Sequence, residues 1–212
     1  MAEFSLKYLA KFVFEHKVER LAINGGFMPL HYVKTNQLTQ LLLKDAQLHS
    51  EDLFILSQYL KHNNSITHID LSKNKIGLKY VEESKVIEFK MKNQDKLKDF
   101  SFQQHFYDSI GLEHFSLALS NDNRLEHLDL SENDLGPKNF SLLQKIFKVN
   151  TKIESLNIAD CWIDGEQTDY LCTSLKRNNK LKYLYLRNCR IGDRGSQAVA
   201  KLIENNSNLI EL

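Results

Sequence analysis

One eleven-residue pattern, L-x-x-L-x-L-x-x-N-x-L, recurs along this chain and restricts the folds that it can adopt. Its copies read LTQLLLKDAQL, ITHIDLSKNKI, LEHLDLSENDL, IESLNIADCWI and LKYLYLRNCRI, and they begin at Leu38, Ile66, Leu125, Ile153 and Leu181. Within each copy the alternation of apolar residues predicts a short β-strand with one buried face. A pattern that returns at a fixed period indicates stacked repeats of one structural unit.

The spacing of the copies is regular over most of the chain. From Leu38 to Ile66 is 28 residues, and the same 28 residues separate Leu125, Ile153, Leu181 and Leu209. Each copy continues into a segment whose apolar residues predict a helix packed on the strands. Two aligned helix positions should face the strands: Leu56, Phe115, Leu143, Leu171 and Val199, and then Leu60, Leu119, Phe147, Leu175 and Ile203. A turn residue recurs three positions before each strand, as Asn63, Asp122, Asn150, Asn178 and Asn206.

Both ends of the chain depart from this period. Apolar residues at helical spacing predict a helix over residues 4–17, and residues 18–23 have the pattern of a first strand. Only 20 residues separate Val18 from the equivalent Leu38, and two glycines and a proline lie between them, so we expect a loop over residues 24–37. Residues 209–212 begin a further strand. We expect this apolar end to be continued by the native polypeptide or covered by another chain.

The step from Ile66 to Leu125 takes 59 residues, which is one period plus 31 extra residues. The surplus lies at about residues 78–109, where Phe89 and Met91 belong to one alternating segment and Phe100 and Phe102 to a second. Two alternating segments in succession predict a β-hairpin or a hairpin-like excursion. The alternative is a solvated loop whose aromatic side chains fold back onto the repeats.

These 28-residue units resemble the ribonuclease-inhibitor-like class of leucine-rich repeat proteins. The resemblance covers the chain apart from residues 24–37 and 78–109. It implies an α/β leucine-rich repeat solenoid, or horseshoe, with parallel strands on the concave face and helices on the convex face. We therefore expect one domain, in which residues 1–37 form an N-terminal cap and short first repeat, residues 38–77 and 110–212 form regular repeats, and residues 78–109 are an insertion.

The resemblance also implies that the ninth motif residue is buried and bonds the loop backbone. This position holds Ala46, Asn74, Asn133, Cys161 and Cys189. Alanine departs from the pattern and cannot make the bond, so the first full repeat is expected to be looser. The two cysteines are expected to be structural. With Cys172 they make an odd number without a C-x-x-C pair, which disfavours a disulfide framework or a zinc module.

The third and fifth motif positions point away from the core and form two rows across the repeats. If the insertion leaves the stack intact, His68 lies beside His127 and Asp70 beside Asp129. Such a group could form a metal site or an acid–base pair. Aspartate is commonplace at this position in the resembled family, however, and the face is open to solvent. We therefore expect no metal, no cofactor and no catalytic residue.

A gradient of residue type along this face indicates protein binding. Its middle is acidic, with Glu126, Asp129, Glu132, Glu154 and Asp160, and its last repeat is basic and aromatic, with Lys182, Tyr183, Tyr185, Arg187 and Arg190. Tyrosine and arginine are favoured at interfaces, so we expect Tyr183, Tyr185 and Arg187 to anchor a partner. The alternative is a solvated strand face with incidental aromatic residues. The predicted partner-binding residues are His68, Asp70, Glu126, His127, Asp129, Glu154, Tyr183, Tyr185 and Arg187 on the concave face, and Phe89, Met91, Phe100 and Phe102 in the insertion.

Composition restricts the partner class. The 28 Lys and Arg nearly balance the 27 Asp and Glu, so we expect no binding to nucleic acid or to a membrane. No apolar run is long enough for a signal peptide core or a membrane span, which predicts a cytoplasmic protein. We expect a non-catalytic scaffold that binds other proteins within a multi-subunit, cytoskeletal or ciliary assembly. The alternatives are a regulator of a small GTPase, since GTPase activators for Ran resemble this architecture, and a bacterial effector or inhibitor that binds a host protein.

Overall fold

The computed structural model describes residues 11, 13–15, 21–22, 27–77, 85–87, 100–102, 108–120 and 124–212. The strands are β1 (Leu21–Ala22), β2 (Phe27–Met28), β3 (Gln40–Leu42), β4 (His68–Asp70), β5 (Lys85–Ile87), β6 (Phe100–Phe102), β7 (His127–Asp129), β8 (Ser155–Asn157) and β9 (Tyr183–Tyr185). The helices are α1 (Leu30–Lys34), α2 (Ser50–Leu60), α3 (Asp108–Ser120), α4 (Gly136–Val149), α5 (Gly165–Leu175) and α6 (Gly192–Asn205).

Five strands form one parallel sheet in the order β3-β4-β7-β8-β9. The central residues Leu41, Ile69, Leu128, Leu156 and Leu184 are paired in register and are 0–2% exposed. Because one repeat cannot bury its own apolar residues, stacking at the strand spacing of about 4.8 Å creates the continuous core. The first and third residue of each strand point away from that core and form the concave face of the solenoid.

The helices form the convex face and bury the predicted residues. Leu56, Phe115, Leu143, Leu171 and Val199 are at most 7% exposed. The second aligned position is buried from Leu60 to Leu175, but Ile203 is 47% exposed. Among the described residues no helix lies beyond α6, so this side chain has no neighbour to cover it.

Two rows of polar residues hold successive repeats together. Asn74 donates to the Leu43 carbonyl at 2.8 Å, and Cys161 donates from Sγ to the Leu130 carbonyl at 3.0 Å. The expected bonding of the ninth motif position is therefore present. In the turns before the strands, Asn178 donates to the Ile153 carbonyl of the previous repeat at 2.8 Å. Asp122, the counterpart of this asparagine, lies outside the described residues.

The insertion leaves the parallel sheet intact. Strand β5 pairs antiparallel with β6, with Ile87 opposite Phe100, which confirms the predicted hairpin. Strand β4 pairs directly with β7, so His68 lies opposite His127 although 31 extra residues separate the two repeats. Gly77 lies where the insertion leaves the repeats, and Gly111 lies where the chain rejoins them. A Cβ atom on Gly77 would meet the Asp134 carbonyl oxygen at 2.3 Å, and one on Gly111 would meet the Ser50 carbonyl oxygen at 1.6 Å.

The N-terminal part differs from the expectation for residues 18–37. Strand β1 pairs antiparallel with β2, with Leu21 opposite Met28, and does not join the parallel sheet. The expected loop also contains β2 and the short helix α1, in which Leu30 and Val33 are fully buried. The 20 residues available are too few for a strand-and-helix repeat, so the chain buries its apolar residues with a strand pair and one helical turn. Of the helix expected over residues 4–17, residues 11 and 13–15 are helical, and the remainder lies outside the described residues.

Candidate protein-binding face

The parallel sheet brings together the two predicted rows of the concave face. One row is Gln40, His68, His127, Ser155 and Tyr183, and the other is Leu42, Asp70, Asp129, Asn157 and Tyr185. Gln40 and Leu42 are exposed, and the other eight side chains are half-buried. Since every rung is in register, substituents on neighbouring strands lie about 4.8 Å apart and act as one continuous surface.

The two aspartates of this face stabilise the turns that follow their strands. Asp70 accepts hydrogen bonds at Oδ1 from the amide nitrogen and the hydroxyl of Ser72, at 2.9 and 2.6 Å. Asp129 makes the same two bonds with Ser131, at 2.9 and 2.7 Å. Its second oxygen accepts from Asn157 at 2.9 Å. These bonds show that the aspartates stabilise the backbone locally. Their geometry therefore does not support the acid–base pair considered from the sequence.

The two histidines form a stacked pair. The ring centroids of His68 and His127 are 4.0 Å apart, with 16° between the ring planes. The Thr67 hydroxyl lies 2.7 Å from Nδ1 of His68. Partial burial, followed by the nearby charge of His68, lowers the pKa of His127. Glu126 is the third member of this group: its carboxylate and the two rings place possible ligand atoms within 4.8 Å of one another.

The predicted gradient from acidic to basic is partly neutralised by ion pairs across the strands. Lys182 donates to Glu154 at 2.7 Å, and Arg187 donates to Asp160 at 3.0 Å. The bond from Lys182 lowers the pKa of Glu154 and raises that of Lys182 itself. Two of the predicted partner-binding residues, Glu154 and Arg187, are therefore already paired within the chain, and a partner has to accommodate or replace these pairs.

Tyr183 and Tyr185 lie in the two rows of the concave face, as the sequence predicts. Tyr183 and Tyr185 flank the buried Leu184 on β9 and are half-buried. Burial, with a smaller contribution from Glu211, raises the pKa of the Tyr185 phenol. Residue 211 also extends the sheet, since Tyr183 and Glu211 form a parallel bridge. The expectation that residues 209–212 begin a further strand is thus confirmed.

An open cavity of about 300 Å³ lies where the central strands end. Its lining includes Lys44, Asp129, Asn157, Asp160, Tyr185 and Arg187. Both charges and one aromatic ring line it, so it suits polar side chains of a protein surface better than an apolar ligand. The cavity was not predicted, because it forms between loops whose relative positions depend on the stacking of the repeats.

Two exposed apolar side chains were also missed. Leu42, at the opposite end of the face from the tyrosines, is 64% exposed. Trp162 is 53% exposed, has a positive φ of 57°, and lies under the Arg190 guanidinium, which is 4.3 Å from the ring centroid. Leu42 is the fifth residue of its motif copy, a position whose outward direction was predicted but which is polar or aromatic in the other repeats. Trp162 follows Cys161 directly, and its loop position lies outside the strand alternation.

The predicted insertion residues are not tested. Phe100 and Phe102 lie on β6, and Phe89 and Met91 lie outside the described residues. Their partner-binding role stays a prediction. In the part of the chain that the structure describes, no helix has the length and apolar character needed to cross a membrane.

A family model described as "Leucine Rich repeat" matches residues 62–79, 123–138, 149–166 and 177–200. Human "NACHT, LRR and PYD domains-containing protein 5" is 27% identical over 192 residues, which cover 88% of this chain and 16% of that protein. Mouse "NACHT, LRR and PYD domains-containing protein 14" is 26% identical over 187 residues, covering 86% of this chain and 18% of that protein. The chain thus spans less than a fifth of the length of these curated relatives.

Solved structures with some similarity include "Leiomodin-1 Actin-Binding Site 2 (ABS2)", with a TM-score of 0.49 and 16% identity, covering 87% of this chain and 75% of that chain. A second is the tropomodulin C-terminal domain of Caenorhabditis elegans, with a TM-score of 0.44 and 16% identity, covering 48% of this chain and 62% of that chain. Neither likeness is close enough to bear on function. The matched repeats and the relatives support a role in protein interaction. Together with the five parallel strands in register, the matched repeats show that the chain has a leucine-rich repeat fold.

Proposed function

We propose that this chain is a non-catalytic module that binds another protein with its concave face. The observation that carries the proposal is the pair Tyr183 and Tyr185, which stand in register with the rest of the face at one end of the sheet. Their rings are half-buried and rigidly supported by the fully buried Leu184 between them. Aromatic side chains held in this way contribute large contact area with little loss of side-chain entropy, as interface anchors do.

The chemistry of the described residues supports a binding role over a catalytic one. The thiols of Cys161 and Cys172 are buried, and burial raises the pKa of each to about 12, so neither is an activated nucleophile. Asp70 and Asp129 are engaged by serine hydroxyls and amides. The cavity of about 300 Å³ is open to solvent and would not exclude water from a reaction.

Comparative affinity purification tests the proposal. Purified wild-type chain, a Tyr183→Ala/Tyr185→Ala variant and a Tyr170→Ala control are immobilised and incubated with extract of the source cells. Tyr170 is the matched control, because it is an exposed tyrosine on the convex helix α5. We expect the same partner to be retained by the wild type and the control and to be lost from the double variant. Equal recovery of every protein by all three, with unchanged circular dichroism spectra, would contradict the proposal.

We further propose that the partner belongs to a larger protein assembly in which this chain is a structural subunit. The balanced charge and the extended, in-register face suit a permanent protein contact. Gel filtration of the native complex checks this, since a subunit elutes with its partner at low concentration. Placement in a cytoskeletal or ciliary assembly stays a prediction, as does action as a host-binding effector. Regulation of a small GTPase is tested by GTP hydrolysis, which a structural subunit leaves unchanged.

A further inference from the structure

We propose that His68, His127 and Glu126 form a binding site for a divalent transition-metal ion, with zinc as the expected occupant. His68 lies on β4, His127 lies on the neighbouring β7 and Glu126 directly precedes β7, and their possible ligand atoms lie within 4.8 Å of one another. All three are half-buried, so an ion can reach them from the concave face. Two imidazoles and one carboxylate are a ligand set that zinc and its neighbours in the first transition row accept.

The backbone holds the three ligands in a fixed relation. The amide nitrogens of Glu126 and His127 both donate to the Thr67 carbonyl oxygen, at 2.8 and 3.1 Å. Residues 67 and 126 are 59 positions apart in sequence, yet these two bonds place the carboxylate and one imidazole directly beside the strand that carries the other imidazole. The site therefore depends on the insertion leaving the sheet unbroken.

Each ligand is also chemically suited to an ion. The Thr67 hydroxyl at 2.7 Å from Nδ1 of His68 orients that ring and leaves Nε2 for coordination, in the manner of the outer partners of metal-bound histidines. Partial burial and the charge of the neighbouring His68 lower the pKa of His127. The next carboxylate along the face, Glu154, forms an ion pair with Lys182 at 2.7 Å and is not among the proposed ligands.

Ion binding requires one local change. The rings are stacked with 16° between their planes, so their nitrogen lone pairs lie in nearly parallel planes and do not converge on one point between the rings. In a tetrahedral zinc site with bonds of about 2.05 Å, adjacent ligand atoms are about 3.3 Å apart. One ring has to turn about its side-chain bonds to direct its lone pair toward the other. Coordination should therefore separate the stacked rings.

Three protein ligands leave a position open on a four-coordinate ion. Water fills that position in the isolated chain, and a side chain of a bound protein could replace the water, since the site lies on the concave face. The inference does not rest on the proposed partner-binding role, because the ion is expected to bind to the isolated chain.

Isothermal titration of the full chain with zinc chloride tests the proposal under reducing conditions, with magnesium and calcium as comparison ions. We expect one zinc per chain, no response to calcium or magnesium, and an affinity that falls by more than about tenfold in His127→Asn and in Glu126→Gln. The control is His62→Asn, which removes an exposed histidine of the turn after α2 that is not one of the three proposed ligands, and should leave the affinity unchanged. Glu126→Gln retains the ring stack and the backbone bonds, so its effect does not depend on a folding defect.

Two spectroscopic measurements complete the test. Cobalt substituted for zinc should give visible absorption bands without a thiolate charge-transfer band, because none of the three thiols, Cys161, Cys172 and Cys189, belongs to the group of ligands. Histidine ring resonances in NMR spectra should shift for two residues when zinc is added. Absence of stoichiometric zinc binding, equal zinc affinity of His127→Asn and wild type, or a thiolate band with cobalt would each overturn the proposal.

Discussion

The Asn133 side-chain amide donates to the Leu71 carbonyl oxygen, 62 residues earlier in the chain, at 2.9 Å. The same amide donates to the Leu130 carbonyl at 3.0 Å, and its oxygen accepts from the Ile76 amide nitrogen at 3.1 Å. One buried side chain thus closes its own loop and joins the repeats on the two sides of the insertion. This bond network explains why the insertion does not interrupt the stack.

Replacing this residue, Asn133→Ala, should therefore destabilise the chain strongly. The substitution leaves the Ile76 N–H without its acceptor and removes one donor from each of the Leu71 and Leu130 carbonyls, in a position that is 1% exposed. We expect a loss of about 2–4 kcal/mol in the free energy of unfolding, measured by urea denaturation. Asn139→Ala is the control: it removes one bond, from Asn139 to the Gly77 carbonyl, at a half-buried site, and should cost about 1 kcal/mol. Equal losses in the two variants would refute the assigned role of Asn133.

Gly77→Ala tests the contact where the insertion leaves the repeats. Gly77 has a φ of +92°, and an added Cβ would meet the Asp134 carbonyl oxygen at 2.3 Å. Both strain and overlap with backbone atoms oppose the substitution, so we expect a loss above about 3 kcal/mol in thermal or urea unfolding.

The matched control is Gly136→Ala, because Gly136 also has a positive φ but has no atom within 4 Å of the added Cβ. Only the left-handed backbone opposes that change, with a cost of about 1–2 kcal/mol. A smaller loss in Gly77→Ala than in Gly136→Ala would show that the contact with Asp134 relaxes readily.

The periodic part of the fold was predictable because the 28-residue period specifies which residues face each other. Once the pattern of Leu125 is aligned with that of Ile66, the pairing of His68 with His127 follows if the insertion leaves the sheet intact, which it does. The same alignment explains why Asn74 and Cys161 occupy equivalent buried positions. The repeat period thus shows which residues of neighbouring strands lie opposite each other, which the pattern of a single strand does not show.

The parts that escaped prediction depend on contacts outside the repeat. Alternation marked residues 18–23 as a strand but did not say that Leu21 pairs with Met28. Glu126 lies before the strand proper, in the turn into β7, and alternation therefore gave no reason to associate it with the two histidines. The bonds of Asp70 and Asp129 to serines arise from loop geometry, which the apolar pattern does not encode.

The cysteines predict a dependence of stability and reactivity on pH. Burial is the largest cause that raises the pKa of the Cys161 and Cys172 thiols from 9.0 to about 12. Because the folded pKa exceeds the unfolded one, the folded state is favoured below about pH 9, and that contribution is lost as the pH rises toward 12. Urea midpoints should thus fall between pH 9 and pH 11, and a Cys161→Ala/Cys172→Ala variant should show a smaller fall.

Alkylation checks the same thiols directly. At pH 8 in native buffer, iodoacetamide should label Cys189 first, because it is half-buried whereas the other two thiols are buried. In denaturing urea all three should react at similar rates, as followed by mass spectrometry of peptides. Labelling of Cys161 in the folded protein at the rate of an unfolded thiol would contradict the assigned burial.

The insertion is expected to be dispensable for folding, because both of its ends lie against one residue. The Gly77 amide donates to the Ser50 hydroxyl at 3.3 Å, and Gly111 packs against the Ser50 carbonyl. In the test, a short Gly-Ser linker replaces residues 80–106. The helical circular dichroism signal of the repeats should be unchanged and unfolding should remain cooperative. The reason is that a shorter loop closes at a slightly lower entropic cost. The shortened chain also separates two possible binding surfaces: a partner that is lost with Tyr183→Ala/Tyr185→Ala but retained by the shortened chain uses the concave face alone. Loss of cooperative unfolding on shortening would show instead that residues 80–106 contribute to the core.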